Sequence, residues 1–342
     1  MFTLIFVLFL EIFLTIFLIF FWNKNNQLKL ISENYTGIQK IHTGSIPRLG
    51  GLISYASLFI FSFLNSQSIL IKFLILLLPL VIISLKEDLF HNVSAHFRLS
   101  AIFISALLIL YFTNIDFPYI EIPFIESILD NSFFKLFFMA LCLTVLSNGL
   151  NIIDGTNGLL NFTVLSQLIS LLLFSYFVSD YEVISIIIPI MAIILINLFF
   201  NFPYGKIFAG DLGAYFYGFI VGFITIYFFG RNENLLSWNA ALILFYPVFE
   251  VLFSYIRKII NNHSPFEPDP HHLHLKCFFW LEKKTQSTLK ANYLTTLYLF
   301  PVWILPFILF LFFHDNLFSI LYSLVFMIIL YLLIYKIIPK KN

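Results

Sequence analysis

Long apolar runs separated by short polar segments extend the length of the chain. Windows of roughly 17 to 25 apolar residues, the length that crosses a bilayer, predict helices near residues 2–22, 49–65, 69–85, 99–114, 133–150, 159–178, 183–200, 212–230, 239–256, 291–313 and 317–337. The expected fold is therefore all-α, a polytopic membrane helix bundle of about 11 transmembrane helices in a single integral membrane domain. The first run lacks a basic leader and a small-residue cleavage site, so it reads as an uncleaved helix. Residues 114–132 alternate apolar and polar around Pro118 and Pro123, which suggests a small hairpin or an interfacial segment. Neither an internal repeat nor a long linker is evident.

Composition agrees with this reading. Of 342 residues, 60% are hydrophobic and only 11% charged, with a mean hydropathy of +0.95, which excludes an ordinary soluble globule. Two distant cysteines, Cys142 and Cys277, support neither a disulfide framework nor a thiolate metal site. A net charge of +1 gives no basis for a nucleic-acid partner. Charge placement is more telling than its sum. Sixteen Lys and Arg fall in one set of loops and the tail, against Lys72, Lys135 and Arg231 on the other side. The positive-inside bias then predicts an outer N-terminus and a cytoplasmic C-terminus.

Every unusual polar cluster falls on that basic side. The clusters are residues 46–51 (I-P-R-L-G-G), 86–88 (K-E-D), 148–158 (N-G-L-N-I-I-D-G-T-N-G), 201–213 (N-F-P-Y-G-K-I-F-A-G-D-L-G) and 264–276 (S-P-F-E-P-D-P-H-H-L-H-L-K). A carboxylate such as Asp154 costs about 2.5 to 3.5 kcal/mol at the centre of a lipid-facing helix, so it must reach water, a partner or a cation. Asp88, Asp154 and Asp211, with Glu87 beside the first, come from separate helix ends. Such a set suits a hard divalent cation sharing ligands with a diphosphate. The plainer alternatives are a solvated Glu87–Asp88 pair beside Lys86, and Asp211 as a helix N-cap. The glycines at 50, 51, 155, 158, 210 and 213 allow a close backbone approach to phosphate, or close helix packing. His272 and His274 lie two apart on an expected loop; their spacing matches no common zinc pattern, and they suit phosphate better. Glu250 is expected to pair with Arg257, and Glu11, midway along the first helix, has no assigned role.

Taken together, these segments resemble the polyprenyl-phosphate N-acetylhexosamine-1-phosphate transferase family (glycosyltransferase family 4). Residues 46–51 resemble its T-P-R-x-G-G, and Glu87-Asp88 with Arg98-Leu99 its paired acidic motif and downstream R-L. Residues 148–158 are similar to N-x-x-N-x-x-D-G-x-D-G and residues 208–213 to F-M-G-D-x-G. Pro247 with Glu250 resembles a P-x-x-E/D helix, and residues 264–276 the S-P-F-x-x-D and H-x-H-H segment. The chain departs from the pattern at Glu87, at Asn157 where many members have Asp, and at Leu275 in place of a third histidine.

The resemblance implies transfer of a sugar 1-phosphate from a UDP-N-acetylhexosamine to polyprenyl (undecaprenyl) phosphate in a bacterial inner membrane, with release of UMP. Such a step initiates cell-surface polysaccharide synthesis. It implies Mg2+, with Mn2+ as the alternative, on Asp211 and Asp154, and catalytic roles for Asp88, Glu87, Asp154, His272 and His274. Arg48, Asn151, Asn157, Asn201 and Phe208 are expected to bind substrate. A homodimer is left open. The alternative activity is phospho-MurNAc-pentapeptide transfer, against which Asn157 and Leu275 weigh. A secondary transporter is the rival from another class; it predicts midplane charges and repeats.

Overall fold

The computed structural model describes residues 2–25, 45–264, 267 and 269–339. Among them the regular structure is entirely helical. In chain order the helices are α1 (Phe2–Lys24), α2 (Gly50–Leu64), α3 (Ser68–Phe90), α4 (Ala95–Thr113), α5 (Pro123–Leu129), α6 (Ser132–Ile153), α7 (Leu159–Phe177) and α8 (Tyr181–Asn201). They continue with α9 (Gly210–Arg231), α10 (Trp238–Ile243), α11 (Phe245–Ile260), α12 (Leu273–Thr285), α13 (Thr288–Tyr298), α14 (Phe300–Phe313) and α15 (Leu317–Ile337). Asn131, Ser94, Asp180, Ser287 and Asn316 begin five of these helices, each side chain accepting a backbone N–H of the first turn.

Among the described residues nine helical segments are long and apolar enough to span a membrane, α13 and α14 counting as one. The expected spans all coincide with helix, with three qualifications. The segment at 49–65 is the shorter α2, the segment at 239–256 is broken at Leu244 into α10 and α11, and the segment at 291–313 is interrupted at Leu299 between α13 and α14. Two local expectations are corrected. Of the two alternatives for residues 114–132, the hairpin is excluded, since residues 123–129 form a short helix, with Glu126 accepting the Glu121 N–H at 3.3 Å. The histidine segment is not a loop throughout: His272 is the N-cap residue of α12, whose Leu273, Leu275, Cys277, Phe278 and Leu281 are buried.

One helix organises the bundle. Between Asp211 and Arg231 α9 has no charged residue on any face, and it is buried from Gly210 to Gly230, as a helix without a polar stripe must be. It packs against α2, α3, α6 and α7. Small residues let neighbours approach it closely. A Cβ on Gly51 of α2 would sit 2.1 Å from the Gly213 Cα, and one on Gly218 would sit 2.5 Å from the Ser147 Cα of α6. The first turn of α9 is consequently fixed to the start of α2 and the end of α6, which places Asp211 among residues remote in sequence.

Candidate active site

The site is built at the start of α9. Gly210 has φ +75°, a left-handed conformation that disfavours a side chain, and a Cβ there would strike the Asp88 carboxylate at 2.7 Å. Asp88, in the last turn of α3, accepts the Asp211 N–H on Oδ1 at 2.8 Å and the Leu212 N–H on Oδ2 at 3.0 Å. Its side chain is closed to solvent. The carboxylate thus caps α9 from a different helix, satisfying donors that have no partner within the helix itself. Asp88 is therefore a cap of α9 as well as an expected catalytic group, each of its oxygens keeping acceptor capacity beyond the one backbone N–H it receives.

Residues 47–51 run alongside residues 208–209. Phe208 N–H donates to Pro47 O, Gly50 N–H to Phe208 O and Gly51 N–H to Ala209 O, each at 2.9 Å. This pairing brings Arg48 over the cap. Its guanidinium lies 3.1 Å from Asp211 Oδ1 and 3.6 Å from Asp88 Oδ1. Arg98, from the first turn of α4, reaches Asp211 Oδ2 at 2.5 Å and Glu87 Oε1 at 3.5 Å. Glu87 also accepts the Val93 N–H at 2.8 Å, which tethers the α3–α4 turn. Asp211 is therefore held between two arginines. Arg98 carries more of the site than its motif alone suggested; a guanidinium at the mouth of an apolar helix is the available signal, since it requires an acidic partner.

Asp154 follows the last turn of α6. No hydrogen bond from the described residues reaches its carboxylate. Burial pushes the Asp154 carboxyl up to about 7, with Arg48 opposing and the Asp211 charge reinforcing the rise. Arg48 and Asp211 are thus close enough to act on it. Carboxylates from α3 and α9 meet two arginines at one end of the bundle, with Asp154 after α6 within electrostatic reach. His274 closes the same region: a Cβ on Gly155 would lie 2.3 Å from its Nε2. His272 and His274 stack with ring centroids 5.9 Å apart, and both are buried.

The expected substrate-binding residues divide. Asn151 is half-buried and accepts the Tyr215 O–H at 3.3 Å, one helical turn beyond Asp211. Phe208 is half-buried, with its backbone N–H and C=O spent on the 47–50 strand of chain. Asn157 and Asn201 are buried and also tie loops together. Asn157 Nδ2 donates to Pro203 O at 2.8 Å, its N–H to Asn292 Oδ1 at 2.6 Å, and its C=O accepts Thr296 Oγ1–H at 2.7 Å. Asn201 accepts the Gly158 N–H at 2.6 Å and donates to Ile207 O at 2.8 Å. The Asn201 side chain is engaged through both its oxygen and its nitrogen, whereas the buried Asn157 Oδ1 has no hydrogen-bond partner among the described residues.

Glu250 does not pair with Arg257. It lies deep in α11 and accepts from His272 Nδ1 at 3.0 Å, whereas Arg257, about two turns further on, pairs with Asp269. Seven residues along a helix separate the two by about 10 Å, too far for a contact without bending.

The chemistry of the donors suits a hard cation. Among the described residues no group of three or more His, Cys, Asp or Glu forms a preassembled metal cage. Mg2+ commonly uses one or two carboxylates, completing its shell with phosphate oxygens and water. Asp211, with Asp154 within electrostatic reach of it, would offer a set of that size.

Sequence comparisons agree with the geometry. A family model described as Glycosyl transferase family 4 matches residues 70–229, the stretch that holds Glu87, Asp88, Arg98, Asp154 and Asp211. The chain is 26% identical over 236 residues to an undecaprenyl-phosphate alpha-N-acetylglucosaminyl 1-phosphate transferase of Thermotoga maritima, covering 69% of each chain. It is 31% identical over 147 residues to a probable undecaprenyl-phosphate N-acetylglucosaminyl 1-phosphate transferase of Bacillus subtilis, covering 41% of each. With a phospho-N-acetylmuramoyl-pentapeptide-transferase of Dictyoglomus thermophilum it shares 28% identity over 244 residues, or 70% of this chain and 76% of that one. Through residues 70–229 and the acidic site they carry, the chain is similar to glycosyl transferase family 4.

Proposed function

We propose that this protein transfers an N-acetylhexosamine 1-phosphate from a UDP-sugar to a polyprenyl phosphate at the cytoplasmic side of a bacterial inner membrane. An oxygen of the lipid phosphate attacks the β-phosphorus of the nucleotide sugar; the bond to the α-phosphate oxygen breaks, and UMP leaves. The single observation that carries the reading is the meeting of Asp88 and Asp211, from α3 and α9, with Arg48 and Arg98 at one end of the bundle, Asp154 after α6 lying within electrostatic reach.

The chain's own groups have defined tasks in this scheme. A phosphate monoester ionises for the second time near pH 6, so the attacking oxygen needs orientation more than deprotonation. Phosphoryl transfer of this kind depends on positioning and on neutralising charge. Arg48 and Arg98 supply fixed positive charge beside the phosphates, and Asp88 with Gly210 keeps the first turn of α9 in place. Asp211 and Asp154 would hold Mg2+ or Mn2+. That ion would neutralise charge on the diphosphate and the leaving group.

The relatives act on more than one sugar. Purified protein given a panel of UDP-sugars, including UDP-MurNAc-pentapeptide, with undecaprenyl phosphate and Mg2+, tests activity and donor together. The expected result is UMP and a polyprenyl-diphosphate sugar from one or a few UDP-N-acetylhexosamines. Formation of neither product with any donor overturns the reading, and exclusive use of the pentapeptide donor replaces it with the peptidoglycan step.

A further inference from the structure

Glu250 is wholly buried in α11, yet it has an unusually full set of donors. Its Oε1 accepts His272 Nδ1–H at 3.0 Å and the Leu273 N–H at 3.3 Å. Its Oε2 accepts the Tyr331 O–H at 2.5 Å, from the last helix, α15. A buried carboxylate is tolerated when it is satisfied in this manner. Its bond to Nδ1 also decides which imidazole nitrogen faces elsewhere, as the outer partners of functional histidines generally do.

The far edge of the His272 ring carries Nε2, which has no hydrogen-bond partner among the described residues. The ring lies within 13° of parallel to His274, whose Nε2 edge abuts Gly155 next to Asp154. The two imidazoles therefore bridge from Glu250 to the acidic site. Tyr335, also on α15, donates its O–H to His271 O at 3.1 Å and supplies the carbonyl that accepts Lys276 Nζ at 2.6 Å. The C-terminal helix thus clamps the histidine segment at both ends.

We propose that Glu250 and Tyr331 are positioning residues for the transfer reaction: they hold His272 in the tautomer and orientation that present Nε2 to a phosphate oxygen beside Asp154. This rests on the transferase reading above. Glu250 and Tyr331 touch no substrate in this scheme and act only through His272. Loss of either partner leaves the imidazole free to rotate or to exchange tautomers, so the donor still binds while turnover falls.

A double-mutant cycle tests the proposal with the UDP-sugar selected by the donor panel. Glu250→Gln and Tyr331→Phe are each made in the unsubstituted enzyme and in His272→Ala, and kcat and KM are read from UMP release. Removing an outer partner of a functional histidine costs roughly tenfold or more, so kcat should fall by about that factor for Glu250→Gln with KM little changed. Tyr331→Phe, which deletes one hydroxyl, should lower kcat severalfold. In the His272→Ala background neither substitution should have much further effect, because residues acting as one unit are non-additive. Equal losses in both backgrounds, or unchanged kcat in both single variants, overturn the proposal while leaving the transferase reading intact. Should Glu250→Gln fail to fold, the Tyr331→Phe cycle decides by the same criterion. Absence of UMP from the unsubstituted enzyme with every donor overturns both readings together.

Discussion

A carboxylate gripped by two guanidinium groups is held as an anion in one orientation, and that is the situation of Asp211 between Arg48 and Arg98. Asp211→Asn keeps the shape and removes the charge. It should reduce UMP release by about two orders of magnitude or more, with an unchanged yield of folded protein in detergent. His274 supplies a prediction of a different kind. Burial holds its imidazole down to about 3, with the neighbouring His272 acting in the same direction and Glu250 opposing. Because this value lies below the usual 6.5, the unfolded chain takes up a proton first. The contribution of His274 to stability is therefore complete above roughly pH 6.5 and declines as pH falls, by about 1.4 kcal/mol per unit. Thermal denaturation of His274→Gln should show a shallower loss between about pH 7 and pH 5 than the unsubstituted protein. The acidic residues were legible in the sequence because a carboxylate in so apolar a chain needs a reason. Their division of labour was not. Asp88 and Asp154 look equivalent on paper, and only the close approach of α3 to Gly210 shows that one of them is a cap.

At the scale of elements, the contact between α2 and α9 is the most sensitive joint. The backbones touch at Gly51 and Gly213. Gly51→Ala should lower stability by about 1 to 3 kcal/mol through overpacking, and it should also impair turnover, since the same joint sets Arg48 against Asp211. A fall in the thermal midpoint together with a fall in kcat checks this; an unchanged midpoint contradicts the close approach. Element positions followed well from apolar run length, as the spans at 133–150, 159–178 and 183–200 show beside α6, α7 and α8. Helix α12 escaped notice for a physical reason. Its thirteen residues mix Leu, Phe and Trp with His, Lys and Glu, so no run reaches membrane length, and its buried face appears only once α13 and α15 are packed around it. The break at Leu244 was hidden likewise, because residues on both sides are apolar.

For the whole molecule, the charge asymmetry of the loops predicts that the site lies on the cytoplasmic side. In a background with Cys142 and Cys277 replaced by Ser, Lys86→Cys should react with a membrane-impermeant maleimide only after cells are permeabilised, and Glu233→Cys in intact cells. The reverse pattern would turn the molecule over and leave a cytosolic nucleotide sugar without access. The order of the helices along the chain also has a bearing on how the enzyme can be divided. The turn that carries Asp154 is secured by Asn292 and Thr296 of α13, and the histidine segment by Tyr331 and Tyr335 of α15. Four anchors of the catalytic end therefore lie beyond residue 229, outside the region that the family model matches. During synthesis the acidic residues emerge from the ribosome long before the side chains that fasten them. A nascent chain halted after α9 would carry its charges without their moorings, and competence for transfer would arrive only with the last helix.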